Sequence, residues 1–430
     1  MQGLKSLVEK IPYSIGSILA KVPFSWRLGR IYSQTLKLID SGSVNPDYVV
    51  ARFDQIFQYA KANFPFYREL YSKAGLLDFE VKTLADIDKV PIITKSMIRM
   101  HLNDFDGALA LNTGGTSGEP FAFYVDSNAF AREWAHMHSI WAGRGYHFHD
   151  VKLTLRGKNL GSSPYQYNAV HNEFIVNTYL PLSSFYQEIL ELIETHSIRF
   201  LHGYPSTIYT FLKELEDCCT SSQVDEIRQR LSCCLLGSEF PQAYMVDYIV
   251  NTWGLEYISW YGHSEMCVLA SDVNCDNQYV PFHSYGYVEV EGERLIGTSY
   301  HNYDMPLIRY DTGDLVDGSF NDDGLLASFT VKHGRSGDYI VDFSAKNIPL
   351  TGLIFGRHHK AFGCLRSIQV RQTQQGFAEL LVTLDDGEVY KSEDLLKLFD
   401  LSNIDIKFSV EVLQKPILSK AGKMPLLVRD

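Results

Sequence analysis

Residues 111–126 read LNTGGTSGEPFAFYVD, with three glycines and four small polar residues set between two apolar runs. After the insert, Phe121, Phe123 and Val125 alternate with Ala122, Tyr124 and Asp126, the period-2 pattern of a strand. Before it, Ala108–Leu111 is a short apolar run that also suits a strand. Two strands joined this way form a hairpin, yet hairpin loops usually span about two to five residues. The extra length and composition suit a binding loop. Gly114, Gly115 and Gly118 free the backbone to aim N–H groups at one point, and Thr113, Thr116 and Ser117 add hydroxyl donors. A Walker loop would need Gly-Lys-Ser/Thr entering a helix, whereas Gly118 is followed by Glu119, Pro120 and a strand. A dinucleotide fingerprint would also need a following helix. On composition alone, a phosphate-binding loop and an ordinary flexible loop fit equally.

The chain's 430 residues suffice for two or three domains. Its net charge of −12, without a long basic run, argues against nucleic acid as a partner. Seven cysteines without a CxxC pair fit a reducing cytoplasm better than a disulfide framework. Cys267, Cys275, His263 and His283 lie close enough in sequence to be metal ligands, although their spacing matches no standard zinc pattern. No signal peptide is evident, and no apolar run approaches the roughly 20 residues of a spanning helix. The first 32 residues carry Lys5, Lys10, Lys21, Arg27 and Arg30 among apolar side chains. Such a segment suits a helix packed on the domain, or one lying on a membrane surface.

Periodicity predicts helices through residues 1–75, a strand-rich stretch over 105–180 with a helix near Asn128–Gly143, and a helix over 183–196. RFLHGY reads as a short buried strand and 205–217 as a helix opened by Pro205. CCLLGSEF and GLEYISWYG read as apolar strands ending in glycine turns. This alternation predicts an α/β layer, whose ligands gather at the carboxyl ends of the strands. Residues 280–332 read as antiparallel β with turns at EGER and NDDG, and the last ~90 as a small α+β unit.

Four further motifs follow the glycine loop in order: YGHSE (Tyr261–Glu265), RYDTGDL (Arg309–Leu315), GRSGD (Gly334–Asp338) and LSKAGK (Leu418–Lys423). The ordered set resembles the adenylate-forming superfamily of acyl-CoA synthetases, luciferases and adenylation domains. FPFYRELYSKAGL, DIDKVPIITKSMIR, LHGYPS and YGHSEM make it most similar to the phenylacetate–CoA ligase and CapK-like branch. The resemblance covers the chain from about residue 50 to its end. It implies an α/β enzyme with an N-terminal helical segment (1–75), a large ATP- and carboxylate-binding region (76–333) and a mobile α+β lid (334–430). It implies ATP-dependent formation of an acyl adenylate with release of pyrophosphate, then transfer to the thiol of CoA or to an amine.

By that likeness Thr113, Gly114, Gly115, Thr116, Ser117 and Gly118 cradle the β- and γ-phosphates, with Phe121 standing where many relatives have lysine. Glu265 would hold Mg²⁺, a hard cation that prefers carboxylate oxygen. Tyr261, with Gly262 and His263, would line the adenine site, approached from the other side by Gly237, Ser238 and Glu239. Asp314 would accept hydrogen bonds from the ribose hydroxyls, because a carboxylate offers two acceptors to a diol. Arg335 would contact the same ribose or a phosphate, and Gly337–Asp338 falls at the family's hinge. Lys423 would bridge the attacking carboxylate and the α-phosphate, where negative charge concentrates. Trp141, Tyr204, Trp260, His263 and Met266 are the candidates for the acid's pocket, which suits an aryl or sugar-ring acid. CapK-like relatives are associated with capsule and surface-polysaccharide synthesis, and a homodimer is common in the aryl-CoA branch. The competing readings are an amide-forming ligase acting on a sugar acid or amino acid, and a non-catalytic nucleotide-binding scaffold.

Overall fold

The computed structural model describes residues 11–429 apart from 113–121, 157, 159, 179, 336–338, 355–358, 386, 403 and 420–423. The helix Pro46–Asn63 shows why its stretch folds as it does. Asn45 caps it through Oδ1, which accepts from the Tyr48 N–H at 2.9 Å, and Pro46 occupies the first turn. Phe53, Ile56, Phe57 and Ala60 form its buried stripe. Phe64-Pro65 ends it, and Pro65 opens the next helix, Pro65–Lys73. These helices have no core of their own. They share one with the antiparallel strands near residues 287–329.

The expected hairpin is present: β1 (Leu109–Asn112) pairs antiparallel with β2 (Ala122–Val125). Next comes an eight-stranded sheet built from β3 (Lys152–Leu155), β4 (Tyr165–Asn168), β5 (Glu173–Val176), β6 (Phe200–Gly203), β7 (Cys233–Leu236), β8 (Glu256–Gly262), β9 (Leu269–Asp272) and β10 (Val280–Pro281). Its spatial order is β10-β9-β8-β7-β6-β3-β5-β4. The central strands β5, β3, β6, β7 and β8 run parallel, with antiparallel β4 and β9 outside them. β3, β5 and β7 are buried throughout, as strands covered by helices on both faces must be.

A four-stranded antiparallel sheet follows, β11 (Gly286–Glu291), β12 (Arg294–Ser299), β13 (Tyr310–Phe320) and β14 (Leu326–Arg335). Beyond a short hairpin of β15 (Tyr339–Val341) and β16 (Asn347–Pro349) lies a third sheet. It contains β17 (Leu365–Gln374), β18 (Phe377–Leu384), β19 (Lys407–Val412) and β20 (Leu427–Val428) in the order β19-β18-β17-β20. A separate core drawn from residues 340–427 backs it. This C-terminal unit meets the large region through ion pairs, Lys213–Asp385 and Arg366–Asp217, and through the Tyr244 and Phe362 rings, stacked 5.2 Å apart.

The helix Ala129–Ala142 covers one face of the large sheet and carries two buried histidines. His136 has both nitrogens bonded as a neutral ring, Nδ1–H donating to the Arg132 carbonyl and Nε2 accepting from Ser284 Oγ, each at 2.9 Å. His138 Nδ1 accepts from the Tyr32 hydroxyl at 2.8 Å. Burial pushes the two down, to about 4 and about 3. Between roughly pH 6.5 and 4 the unfolded chain therefore binds protons that the folded chain refuses. Stability is full above the unfolded-state pKa and falls with acid. At pH 5 the two sites together should cost about 4 kcal/mol, at ~1.4 kcal/mol per pH unit each. Urea unfolding at pH 7 and pH 5 isolates one share of this: His136→Gln should lose about 2 kcal/mol less than the parent protein on acidification, the other buried histidines contributing equally to both. An unchanged pH 5 penalty in that variant would refute the assignment.

Candidate active site

The parallel strands end in one row. The Leu236 end of β7 leads into Gly237, Ser238 and Glu239, beside Gly203 of β6 and Ser259 of β8. Glycine is required at 237: a Cβ there would lie 2.1 Å from the Trp260 indole. Ser238 is left-handed, with φ +67°. Glu239 links three segments. Its Oε2 accepts from the Ser206 hydroxyl at 2.6 Å, and its Oε1 from the Met424 backbone N–H at 3.4 Å. The LHGYPS segment and the residue following Lys423 thus converge on the GSE turn.

β8 continues into Tyr261 and Gly262, and the rest of YGHSE turns back toward β9. The Tyr261 hydroxyl donates to Asp314 Oδ2 at 2.5 Å, and the ring packs edge-on against Phe329. Asp314 is buried on β13, with Arg335 of β14 as its cross-strand partner. Glu265 is buried behind them. Its Oε2 lies 3.2 Å from His263 Nδ1, and its Oε1 accepts from the Tyr310 hydroxyl at 3.3 Å. Burial pushes Glu265 up, but His263 outweighs that through its hydrogen bond and charge, bringing the carboxyl to about 2. Burial pushes His263 down, yet Cys267 and Glu265, at its two ring nitrogens, leave it well above its ordinary value. Glu265 is therefore ionised and held in place at neutral pH.

Behind the site stands Arg309, itself left-handed at φ +49°. It is buried, and its fork binds Glu289 through Nε at 2.8 Å and Nη2 at 3.0 Å. Nη1 donates to the carbonyls of Asp88 and Val90 at 2.9 and 2.8 Å. Burial pushes the Glu289 carboxyl up even with the guanidinium beside it. Ser238, Met266 and Arg309 are three of the eight described non-glycine residues with positive φ. Each sits in a motif segment, where local strain of this kind commonly collects.

Thr113, Gly114, Gly115, Thr116, Ser117, Gly118 and Lys423, with Phe121 and Gly337–Asp338, lie outside the described residues. The stems of the glycine hairpin are described, and they pack in the same core as Tyr261, Met266 and Tyr310. Arg335 is placed by its backbone alone. Trp141, Trp260 and Met266 gather in one cluster, the two indoles 5.7 Å apart, while Tyr204 follows β6 and donates its N–H to the Leu155 carbonyl at 3.3 Å. The four suggested metal ligands do not converge. Cys275 bonds the Tyr257 carbonyl and Arg144, His283 bonds the Leu326 carbonyl, and only His263 and Cys267 meet. No group of three or more His, Cys, Asp or Glu among the described residues could hold a metal by itself. Glu265 fits Mg²⁺ in the other manner, as one ionised carboxylate completed by substrate phosphates and water. Arg309 and Tyr310 lie inside RYDTGDL and Ser206 inside LHGYPS, yet nothing in either motif announces the partners these three side chains find.

The architecture matches solved enzymes along nearly its whole length. A 2-hydroxyisobutyryl-CoA ligase in the postadenylation state superposes with TM-score 0.62 at 15% identity, covering 89% of each chain. The fold is that of the adenylate-forming enzymes. An acyl acid amido synthetase shares this adenylate-forming fold, with TM-score 0.60 at 14% identity over 92% of this chain and 93% of its own. Among curated proteins, protein CapK of Staphylococcus aureus is 21% identical over 322 residues, 70% of this chain and 69% of CapK. No protein-family profile matches the chain.

Proposed function

We propose that this chain is an AMP-forming carboxylate ligase. A carboxylate oxygen of the acid attacks the α-phosphorus of ATP, the bond to the β-phosphate oxygen breaks, and pyrophosphate leaves. The acyl adenylate is then taken by the thiol of CoA or by an amine, with AMP as leaving group. The observation that carries this reading is the meeting of separate motifs at one sheet edge: Tyr261 bonded to Asp314, Glu265 bonded to Tyr310, and Met424 bonded to Glu239.

In this reading Asp314 takes the ribose hydroxyls with Arg335 beside it, and Tyr261 and the GSE turn flank the adenine. The glycine loop from Thr113 to Gly118 grips the leaving phosphates. Mg²⁺ on Glu265 would neutralise phosphate charge. Lys423 reaches the α-phosphate, a placement supported by the contact of its neighbour Met424 with Glu239. The acid enters between the Ala129–Ala142 helix and the sheet, against Trp141 and Trp260. Residues 334–430 act as a lid whose rotation lets one cleft host both half-reactions and keeps water from the mixed anhydride. Seven free cysteines fit a cytoplasmic setting, and the CapK likeness suggests capsule or surface-polysaccharide synthesis.

The test is pyrophosphate exchange across a panel of carboxylic acids, followed by AMP release with CoA and with amines. CoA-dependent release fits the thiol branch and amine-dependent release the amide branch. Lys423→Ala should lower exchange by roughly 10²–10³-fold, because it removes a cation from the site of charge transfer. ATP binding without exchange for any acid would favour a non-catalytic scaffold instead.

A further inference from the structure

The segment before the first long helix has a composition opposite to that of the molecule. Residues 11–45 contain Lys21, Arg27, Arg30 and Lys37 against a single acidic side chain, Asp40, in a chain of net charge −12. The same segment leaves large apolar groups in water. Ile15 is 55% exposed, Ile18 66%, Leu19 40% and Trp26 82%. Ile15, Ile18 and Leu19 fall at i, i+3 and i+4 on the helix Tyr13–Ala20, so they share one face. The opposite face is committed. Gly16 lies so close to Tyr167 that a Cβ would sit 2.4 Å from its ring, and Tyr13 packs on Tyr167, Phe174 and His196.

Trp26 is held outward rather than left loose. Its neighbour Arg27 lies over the buried Phe24 ring at 3.7 Å and donates through Nη1 to the Val170 carbonyl at 2.8 Å. Nη2 reaches the Ala20 carbonyl at 3.4 Å, tying the short helix Phe24–Arg27 to the end of the preceding one. Lys21, Arg30 and Lys37 are exposed and form no ion pair among the described residues. Arg30 and Lys37, seven residues apart on the helix Gly29–Ser41, lie on one stripe.

We infer that this face docks on an anionic lipid bilayer. Ile15, Ile18 and Leu19 enter the headgroup boundary, Trp26 sits at the interface where its amphipathic ring is favoured, and the three free cations meet anionic headgroups. No described helix is long and apolar enough to cross a membrane, so the contact is superficial. A symmetric second copy is a poor occupant, because it would bring the same cations face to face. The negative remainder of the molecule repels such a surface, which restricts docking to this side. The helix Tyr13–Ala20 rests on β4 and β5, at the far end of the sheet order from β8, and Phe24 and the helix Gly29–Ser41 rest on the Ala129–Ala142 helix.

The experiment is co-sedimentation of the full chain with phosphatidylcholine vesicles, and with phosphatidylcholine–phosphatidylserine vesicles, at low and high salt. The protein should pellet with the anionic vesicles at low salt and stay largely in solution with the neutral ones. Ile18→Ser/Trp26→Ser and Arg30→Glu/Lys37→Glu should each bind at least about tenfold more weakly. These side chains are exposed, so circular dichroism and pyrophosphate exchange should match the parent protein. Three results would overturn the inference: no pelleting with anionic vesicles, parental binding by the Ile18→Ser/Trp26→Ser protein, or a solution dimer that this variant abolishes.

Discussion

Arg309→Met should lower the stability of the fold by roughly 3–5 kcal/mol, the cost of stranding one partner of a buried ion pair. The guanidinium fills a dry junction between β11, the 88–90 turn and the start of β13, and it cannot release its charge. Without it, the Glu289 carboxylate is buried unpaired and two backbone carbonyls lose their donors. Methionine keeps most of the volume, so packing loss is a minor part. Since whole domains are stable by about 5–15 kcal/mol, the variant should sit close to unfolding at ordinary temperature. Arg309→Met/Glu289→Leu should recover part of the loss by removing the stranded charge as well. Urea midpoints at unchanged slope measure both effects. A single-variant loss below about 1 kcal/mol would mean the pair is not a structural pin.

Glu265→Gln should act on chemistry more than on folding. The amide keeps the shape of the carboxylate but removes the charge proposed to meet the metal and phosphates. Exchange should fall by about 10²–10³-fold, the range seen when one electrostatic element of a transfer site is lost. The fold should lose far less than in Arg309→Met, because His263 can shed its proton cheaply near neutral pH when its partner is neutral, whereas Arg309→Met leaves a buried carboxyl that must take up a proton far above its ordinary range and two carbonyls without their donor. The two substitutions therefore separate the pin from the site. Exchange within about threefold of the parent protein would remove Glu265 from the reaction.

Much of this was legible in the chain itself, for local reasons. The strands flanking the glycine loop follow from alternation over a few residues, and the helix at 129–142 from apolar spacing. The adenylate-forming fold was legible through ordered motifs rather than through any single one. What sequence could not supply were contacts between distant residues. Arg309 meets carbonyls 219 and 221 positions away, and the Tyr310–Glu265 bond spans 45. Nothing near RYDTGDL announces such partners. The suggested metal set misled for the converse reason. Cys275 and His263 are close in sequence, but β9 runs between them and each finds a local partner first. The fixed outward pose of Trp26 was hidden too, since the carbonyl that anchors its neighbour lies 143 residues on.

The joint between the C-terminal unit and the rest carries one more implication. Among the described residues it holds carboxylates against ammonium and guanidinium groups, the Met424 N–H on Glu239 and the Tyr244–Phe362 ring stack, while the apolar cores on its two sides stay separate. Parting an oily seam would leave both sides sticky in water, whereas the separated ions of these half-buried pairs regain their hydration, which offsets much of what they lose. Such a fastening can be undone and remade many times without inviting aggregation, as a clasp does and a glue line does not.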